Sequence, residues 1–294
     1  MRRLTMDLER RLFRDLGRAI GDHHLIEDGD RIMVAISGGK DSYGLLVLLR
    51  DLQARAPVAF ELVAVHLDQG QPGYDGAPLE RWLQAEGVSY KILRENTYAI
   101  VTDKIPEGKT YCSLCARLRR GILYRAAGEL GCNKIALGHH REDALETLLL
   151  NLFFGGKLAA MPPRLVSDDG RFVVIRPLAY AAEADLAAFA EARGFPILPC
   201  KLCGSQDDAQ RKQMKSLIAD LERKHPTLRQ TMLAALGNVV PSHLYGPASA
   251  TPTSAPAPST LASHADSAAS ASSAFDSASP EIPLIAATSL RLRR

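Results

Sequence analysis

Between residues 31 and 175, short runs of apolar and β-branched residues alternate with longer segments of helical periodicity, which restricts the fold more than any other feature of the chain. Ile32-Met33-Val34-Ala35-Ile36, Leu62-Val63-Ala64-Val65-His66-Leu67, Tyr90-Lys91-Ile92-Leu93, Lys134-Ile135-Ala136-Leu137-Gly138 and Phe172-Val173-Val174-Ile175 read as strands. Helices are expected between them over 42–54, 79–86, 113–130 and 142–153, and after them over 181–193, 206–223 and 227–236. Parallel neighbours need crossovers of helix length, so the pattern predicts a doubly wound α/β fold: a parallel sheet of about five strands, covered on both faces. Ahead of the first strand, Leu4, Leu8, Leu12, Leu16 and Ile20 recur every fourth residue and predict an amphipathic helix. Its apolar stripe must pack on the core or on an interface.

With 46% of its 294 residues apolar, the chain can build a substantial core. The formal charge of +3, from 36 Lys and Arg against 33 Asp and Glu, is too mild to establish a nucleic-acid partner. Its distribution says more. Arg2, Arg3, Arg10, Arg11, Arg14 and Arg18 crowd the first helix, and Arg117, Arg119, Arg120 and Arg125 form a second cluster, both candidates for phosphate contact. No apolar run is long enough to span a membrane, and the N-terminus has neither a secretory apolar core nor the acid-poor make-up of a transit peptide, so a cytoplasmic protein is expected. After Gly246 the composition turns to Ala, Ser, Pro and Thr, and 246–294 is expected to be a disordered tail.

The first predicted strand runs directly into Ser37-Gly38-Gly39-Lys40-Asp41-Ser42. Two glycines between a strand and a helix let backbone N–H groups and the positive helix end approach an anion. Lys40 adds a mobile charge, Ser37 and Ser42 supply hydroxyls, and Asp41 could hold magnesium or cap the helix. The spacing excludes a Walker A loop. Other strand ends carry His66 with Asp68, and Gly138-His139-His140 with Asp143, Glu146 and Thr147 at helical spacing beyond. Ligands of open α/β sheets bind at such ends.

Four of the five cysteines form two C-x-x-C pairs, Cys112/Cys115 and Cys200/Cys203. A closed zinc site, two redox-active dithiols, and an iron–sulfur cluster on three thiolates are all compatible with that spacing. Cys132 beside a predicted strand reads as a small core residue.

The hexapeptide resembles the PP-loop of ATP pyrophosphatases, which cleave ATP between its α and β phosphates and adenylate an oxygen of their substrate. Together with CSLCARLRRGILY at 112–124, LGHHREDALETLLLNLFFGGKLAAMPP at 137–163 and CKLCGSQ at 200–206, it is similar to the tRNA 2-thiocytidine biosynthesis family over about residues 10 to 240. That resemblance implies ATP-dependent thiolation of an anticodon-loop cytidine, position 32, in tRNA: adenylation of its C2 oxygen, then sulfide transfer involving a [4Fe-4S] cluster. It implies ATP and Mg2+ on Ser37, Gly38, Gly39, Lys40, Asp41 and Ser42, with His66, Gly138, His139 and Asp143 contributing. Cluster ligands are implied at Cys112, Cys115 and Cys203, and catalytic roles for these three with Lys40 and Asp41. Cys200 is left as a rival ligand, persulfide carrier or idle thiol. A cysteine desulfurase as sulfur donor and a homodimer are also implied. The domain organisation expected on this basis is an N-terminal helix over 1–28, an ATP- and cluster-binding core over 29–180, a helical part with the second cysteine pair over 181–245, and the tail. Arg211, Lys212 and Lys215 join the arginine clusters as candidate tRNA contacts, and Tyr111 or Phe153-Phe154 as stacking partners for a base, with core packing the expected fate of the phenylalanines. Competing functions are a lysidine-synthetase-like or amidotransferase PP-loop enzyme, in which paired cysteines would be idle, and a zinc-stabilised nucleotide-binding regulator.

Overall fold

A computed structural model describes residues 2–104, 112–198 and 209–245. Helix α1 (Arg2–His23) leads into strand β1 (Asp30–Ile36), helix α2 (Lys40–Gln53), strand β2 (Phe60–Asp68), helix α3 (Ala77–Ala85) and strand β3 (Tyr90–Arg94). Helices α4 (Thr97–Lys104) and α5 (Cys112–Glu129), strand β4 (Lys134–Ala136) and helix α6 (Arg141–Phe154) follow. Strands β5 (Arg164–Val166) and β6 (Val173–Ile175) precede helices α7 (Glu183–Arg193), α8 (Ala209–Glu222) and α9 (Leu228–Gly237).

Six strands form one sheet in the order β3-β2-β1-β4-β6-β5, all parallel except β5, which runs antiparallel to β6. The doubly wound class thus holds, while the count of about five parallel strands becomes five parallel and one antiparallel. Side chains alternate between faces as a two-residue period requires. Ile32, Val34 and Ile36 of β1 join the core beneath α1, α2 and α7, and Met33 joins the core under α5. Cys132 is buried in that second core, the small core residue its sequence context suggests. Leu8, Leu12 and Leu16 are buried against the chain's own sheet-side core, so these positions of the stripe are used within the chain. Each such leucine contributes about 1.5–3 kcal/mol of burial.

A third core joins α6 to α8 through Leu145, Leu149, Met214 and Ile218, with Leu228, Met232 and Leu236 of α9 packed against it. It does not reach the end of α6: Phe153 and Phe154, expected in the core, are about half exposed. No helix among the described residues is long and apolar enough to cross a membrane. The expected tail falls outside the described residues.

From β1 the chain winds outward to β2 and β3, then returns to β4 on the other side of β1. The crevice beyond the C-terminal ends of β1 and β4 is therefore the switch point of the sheet, where open α/β folds place their ligands.

Candidate active site at the sheet switch point

Residues 37–42 leave β1 and turn into α2. Gly38 takes a left-handed backbone (φ +82°), and a Cβ there would lie 3.0 Å from the Leu198 side chain. Ser42 ties the turn: its Oγ accepts from the Ser37 N–H at 3.2 Å and donates to the Gly39 carbonyl at 2.8 Å. The Gly39 N–H donates to Ser37 Oγ at 3.3 Å. Gly39 is the extended N-cap of α2; the Ser42 and Tyr43 N–H groups donate to its carbonyl, and those of Lys40 and Asp41 precede the first helical acceptor. Gly138 packs on this turn so closely that a Cβ would lie 3.1 Å from the Asp41 carbonyl carbon and the Ser42 nitrogen.

Lys40 Nζ sits 3.0 Å from Asp41 Oδ2 and 3.6 Å from Glu183 Oε1. The other Asp41 oxygen is buried without a hydrogen-bond partner. Glu183 is held in turn by Lys215 at 2.7 Å, and its N–H donates to Glu142 at 2.9 Å. Glu142 is buried; burial alone would raise its carboxyl, but His140, Arg141 and the Glu183 N–H outweigh this and bring it to about 2. A chain of alternating charge thus runs from the loop lysine into α6, α7 and α8.

His139 and His140 follow β4. Burial holds His139 neutral, with a pKa of about 4, and its Nδ1 has no partner. Burial also opposes the charged form of His140, but Glu142, Asp143 and Asp41 outweigh it and raise its pKa. The His140 N–H donates to Asp143 at 3.0 Å, capping α6, and Arg211 approaches Asp143 at 3.7 Å and Glu146 at 3.1 Å. His66 has both ring nitrogens engaged: Nδ1 with the Ile36 carbonyl at 2.7 Å and Nε2 with the Tyr74 hydroxyl at 2.5 Å. The carbonyl must accept, so Nδ1 carries the proton and Nε2 accepts from Tyr74. Asp68 accepts from the Gly70 N–H in the turn after β2.

A cavity of about 440 Å³ joins these parts. Ser37, Gly39, Asp41 and Ser42 line one wall, Gly138, His139, His140 and Asp143 another, and Gln69 with Arg119 a third. Cys115 lies behind that third wall, buried in the first turns of α5. Its thiol donates to Gln69 Oε1 at 3.3 Å, and Arg119 Nη2 is 3.9 Å from the sulfur. Cys112 opens α5. Its side chain, with Cys200 and Cys203, lies outside the described residues, and among the described residues no three Cys, His, Asp or Glu side chains converge to hold a metal. Leu198, the last described residue before the second pair, donates its N–H to the Gly38 carbonyl at 2.9 Å.

Of the loop and strand-end residues singled out in the sequence, those of the loop over 37–42 and Gly138, His139, His140 and Asp143 line this cavity or brace its loop, whereas His66, Asp68, Glu146 and Thr147 do not. His66 lines a small neighbouring pocket with Ser37 and Tyr74. Gln69 and Leu198 lie outside the residues singled out in the sequence, and only their places, one residue past Asp68 and two before Cys200, point to them, whereas Arg119, a candidate phosphate contact, stands on the cavity wall beside Cys115. Arg211 and Lys215, candidate RNA contacts, are engaged in ion pairs between helices. Arg125 pairs with Glu95 and Glu129. A larger cavity of about 580 Å³, beside Arg18 and Leu233, touches none of the loop residues.

Residues 8–197 match the PP-loop domain family. The chain is 62% identical over 240 residues to a tRNA-cytidine(32) 2-sulfurtransferase of Sorangium cellulosum, covering 82% of this chain and 85% of that protein. It is 61% identical to one of Pectobacterium carotovorum, covering 81% and 76%. Among solved structures it is similar to the U34-tRNA thiolase NcsA from Methanococcus maripaludis with its [4Fe-4S] cluster (TM-score 0.65, 22% identity, 82% of this chain and 81% of that chain), a likeness of fold.

Proposed function

Since the chain belongs to the PP-loop family, and within it to the tRNA-cytidine(32) 2-sulfurtransferases, we propose that it is an ATP-dependent tRNA thiolase that replaces O2 of cytidine 32 by sulfur. The observation that carries this reading is a single cavity walled by the phosphate-type loop on one side and, through Gln69 and Arg119, by the support of a buried cysteine on another.

The chain's own residues divide the work. The N–H groups at the start of α2, with Ser37, Ser42 and Lys40, receive the phosphates of ATP. Lys40, held between Asp41 and Glu183, turns from these carboxylates to the phosphates as they arrive. The unpartnered Asp41 oxygen fits Mg2+, which takes one or two carboxylates together with substrate phosphates. Attack of the cytidine O2 on the α-phosphorus expels pyrophosphate and turns a poor leaving group into AMP. Sulfide then adds at C2 and AMP departs with the oxygen; this displacement is redox-neutral, the sulfide coming from the persulfide of a cysteine desulfurase after two-electron reduction by a thiol reductant. His139, neutral and partnerless at Nδ1, stands at the cavity wall ready to bond a polar atom of substrate.

Cys112, Cys115 and Cys203 are the proposed ligands of a [4Fe-4S] cluster, which when bound supplies a Lewis-acidic iron to hold sulfide. Cys115 fits that role by position: its buried sulfur lies near the positive end of a helix, with the Arg119 guanidinium 3.9 Å away.

Nucleoside mass spectrometry of tRNA from cells lacking the protein tests the reading. 2-Thiocytidine should vanish, return with the wild-type gene, and stay absent with Lys40→Ala. Persistence of 2-thiocytidine in the deletion strain, or pyrophosphate release by the purified protein that ignores tRNA, would refute it.

A further inference from the structure

Arg176 follows β6 directly, at the C-terminal end of the strand that pairs with β4, the same sheet end at which the chain runs from β4 into His139. It is only 9% exposed. Its Nη1 donates to the Pro162 carbonyl at 2.6 Å, its backbone N–H to the Pro163 carbonyl at 2.8 Å, and its Nε is buried with no partner. Among the described residues no carboxylate lies within ion-pair distance of it. Asp143, the carboxylate whose charge it feels, is already approached by Arg211, and Arg120 adds a further positive charge nearby. Burial accordingly lowers the pKa of Arg176, and its charge helps to keep His139 neutral. A guanidinium kept out of water without a counter-ion is unfavourable, a cost an anionic ligand would offset. The mechanism above makes no use of this cation.

We propose that Arg176, with the free Nδ1 of His139 at the same sheet end, forms a phosphate subsite at the β4/β6 strand ends, separate from the loop over 37–42. Two phosphate sources are open to it: the RNA backbone flanking the target nucleotide, the arm that rests on the thiolase reading, and the pyrophosphate of the nucleotide. A guanidinium suits either, since it offers several N–H donors in a fixed plane.

The test compares wild type, Arg176→Gln and Arg176→Lys in the full chain. Pyrophosphate and ATP affinities are measured by calorimetry, tRNA affinity across a series of salt concentrations, and folding by thermal unfolding. If the subsite takes an RNA phosphate, Arg176→Gln weakens tRNA binding about tenfold and lowers the salt slope by about one, with ATP binding within about twofold of wild type. Arg176→Lys keeps the slope and recovers part of the affinity. If it takes the pyrophosphate, the tenfold loss falls on pyrophosphate and ATP instead. Should the Gln variant not fold, the Lys variant carries the test through a loss of affinity at unchanged slope. Folded variants that bind all three ligands as wild type does would overturn the proposal. A wild-type protein that binds no tRNA would refute the thiolase reading, while the pyrophosphate arm would still decide the subsite.

Discussion

Gly138 shows how a residue with no chemistry of its own fixes a site. Its Cα lies so close to the start of α2 that a methyl group would meet the backbone of Asp41 and Ser42 at 3.1 Å, and neither peptide can turn aside as a side chain would. Gly138 does not have a positive φ, so an alanine there would fail by overlap rather than by strain. Gly138→Ala should therefore displace the loop that Ser42 ties together. The expected overpacking cost is about 1–3 kcal/mol, small enough to leave the protein folded. ATP affinity, measured by calorimetry, should fall at least about tenfold, because the N–H groups of the loop must converge on one anion. An unchanged affinity would mean that the loop does not rely on β4 for its shape.

Among the elements, α1 and β5 mark the two ends of what the sequence reveals. The fourfold leucine spacing of α1 is legible because its buried face is continuous, with Leu8, Leu12 and Leu16 all in one core. Leu16→Ala should accordingly cost about 2–5 kcal/mol in urea unfolding, whereas Arg10→Ala on the exposed face should stay within about 0.5 kcal/mol. A cost below about 1 kcal/mol for Leu16→Ala would show that α1 unfolds apart from the sheet. Strand β5 gives no such signal: Arg164, Leu165 and Val166 are all exposed, so no alternation marks them, and only pairing with Val173–Ile175 makes them a strand. Helix α4 is similarly obscure, since only Thr97 and Val101 of its eight residues are buried. The same division holds in the site. The loop over 37–42 and Gly138, His139 and Asp143 are legible because each follows a strand by a fixed offset. Gln69 and Arg176 also follow strands directly, but no glycine pair or histidine beside them marks the position, and Leu198 acquires its place from the segment after α7.

Across the whole molecule, the charge of +3 conceals a division between arginines tied to carboxylates and arginines left unpaired. Lys215 and Arg211 bind α8 to α6 and α7, and Arg125 pairs with glutamates just after β3 and on α5 itself. Arg117 and Arg120, on the exposed side of α5, form no ion pair among the described residues, and Arg120 leads toward the buried Arg176. Free surface cations release counter-ions from an RNA backbone, whereas cations already paired with carboxylates contribute mainly to the fold. The double variant Arg117→Ala/Arg120→Ala should therefore lower tRNA affinity and reduce its salt slope by about one to two, with thermal stability nearly unchanged. Lys215→Ala should do the reverse, lowering stability while leaving the salt slope as it is. Fluorescence titration of tRNA at several salt concentrations, with thermal melts of each variant, separates the two patterns. A slope that responds to Lys215 and ignores the α5 arginines would place the RNA on the helical side formed by α6, α8 and α9 instead of along α5.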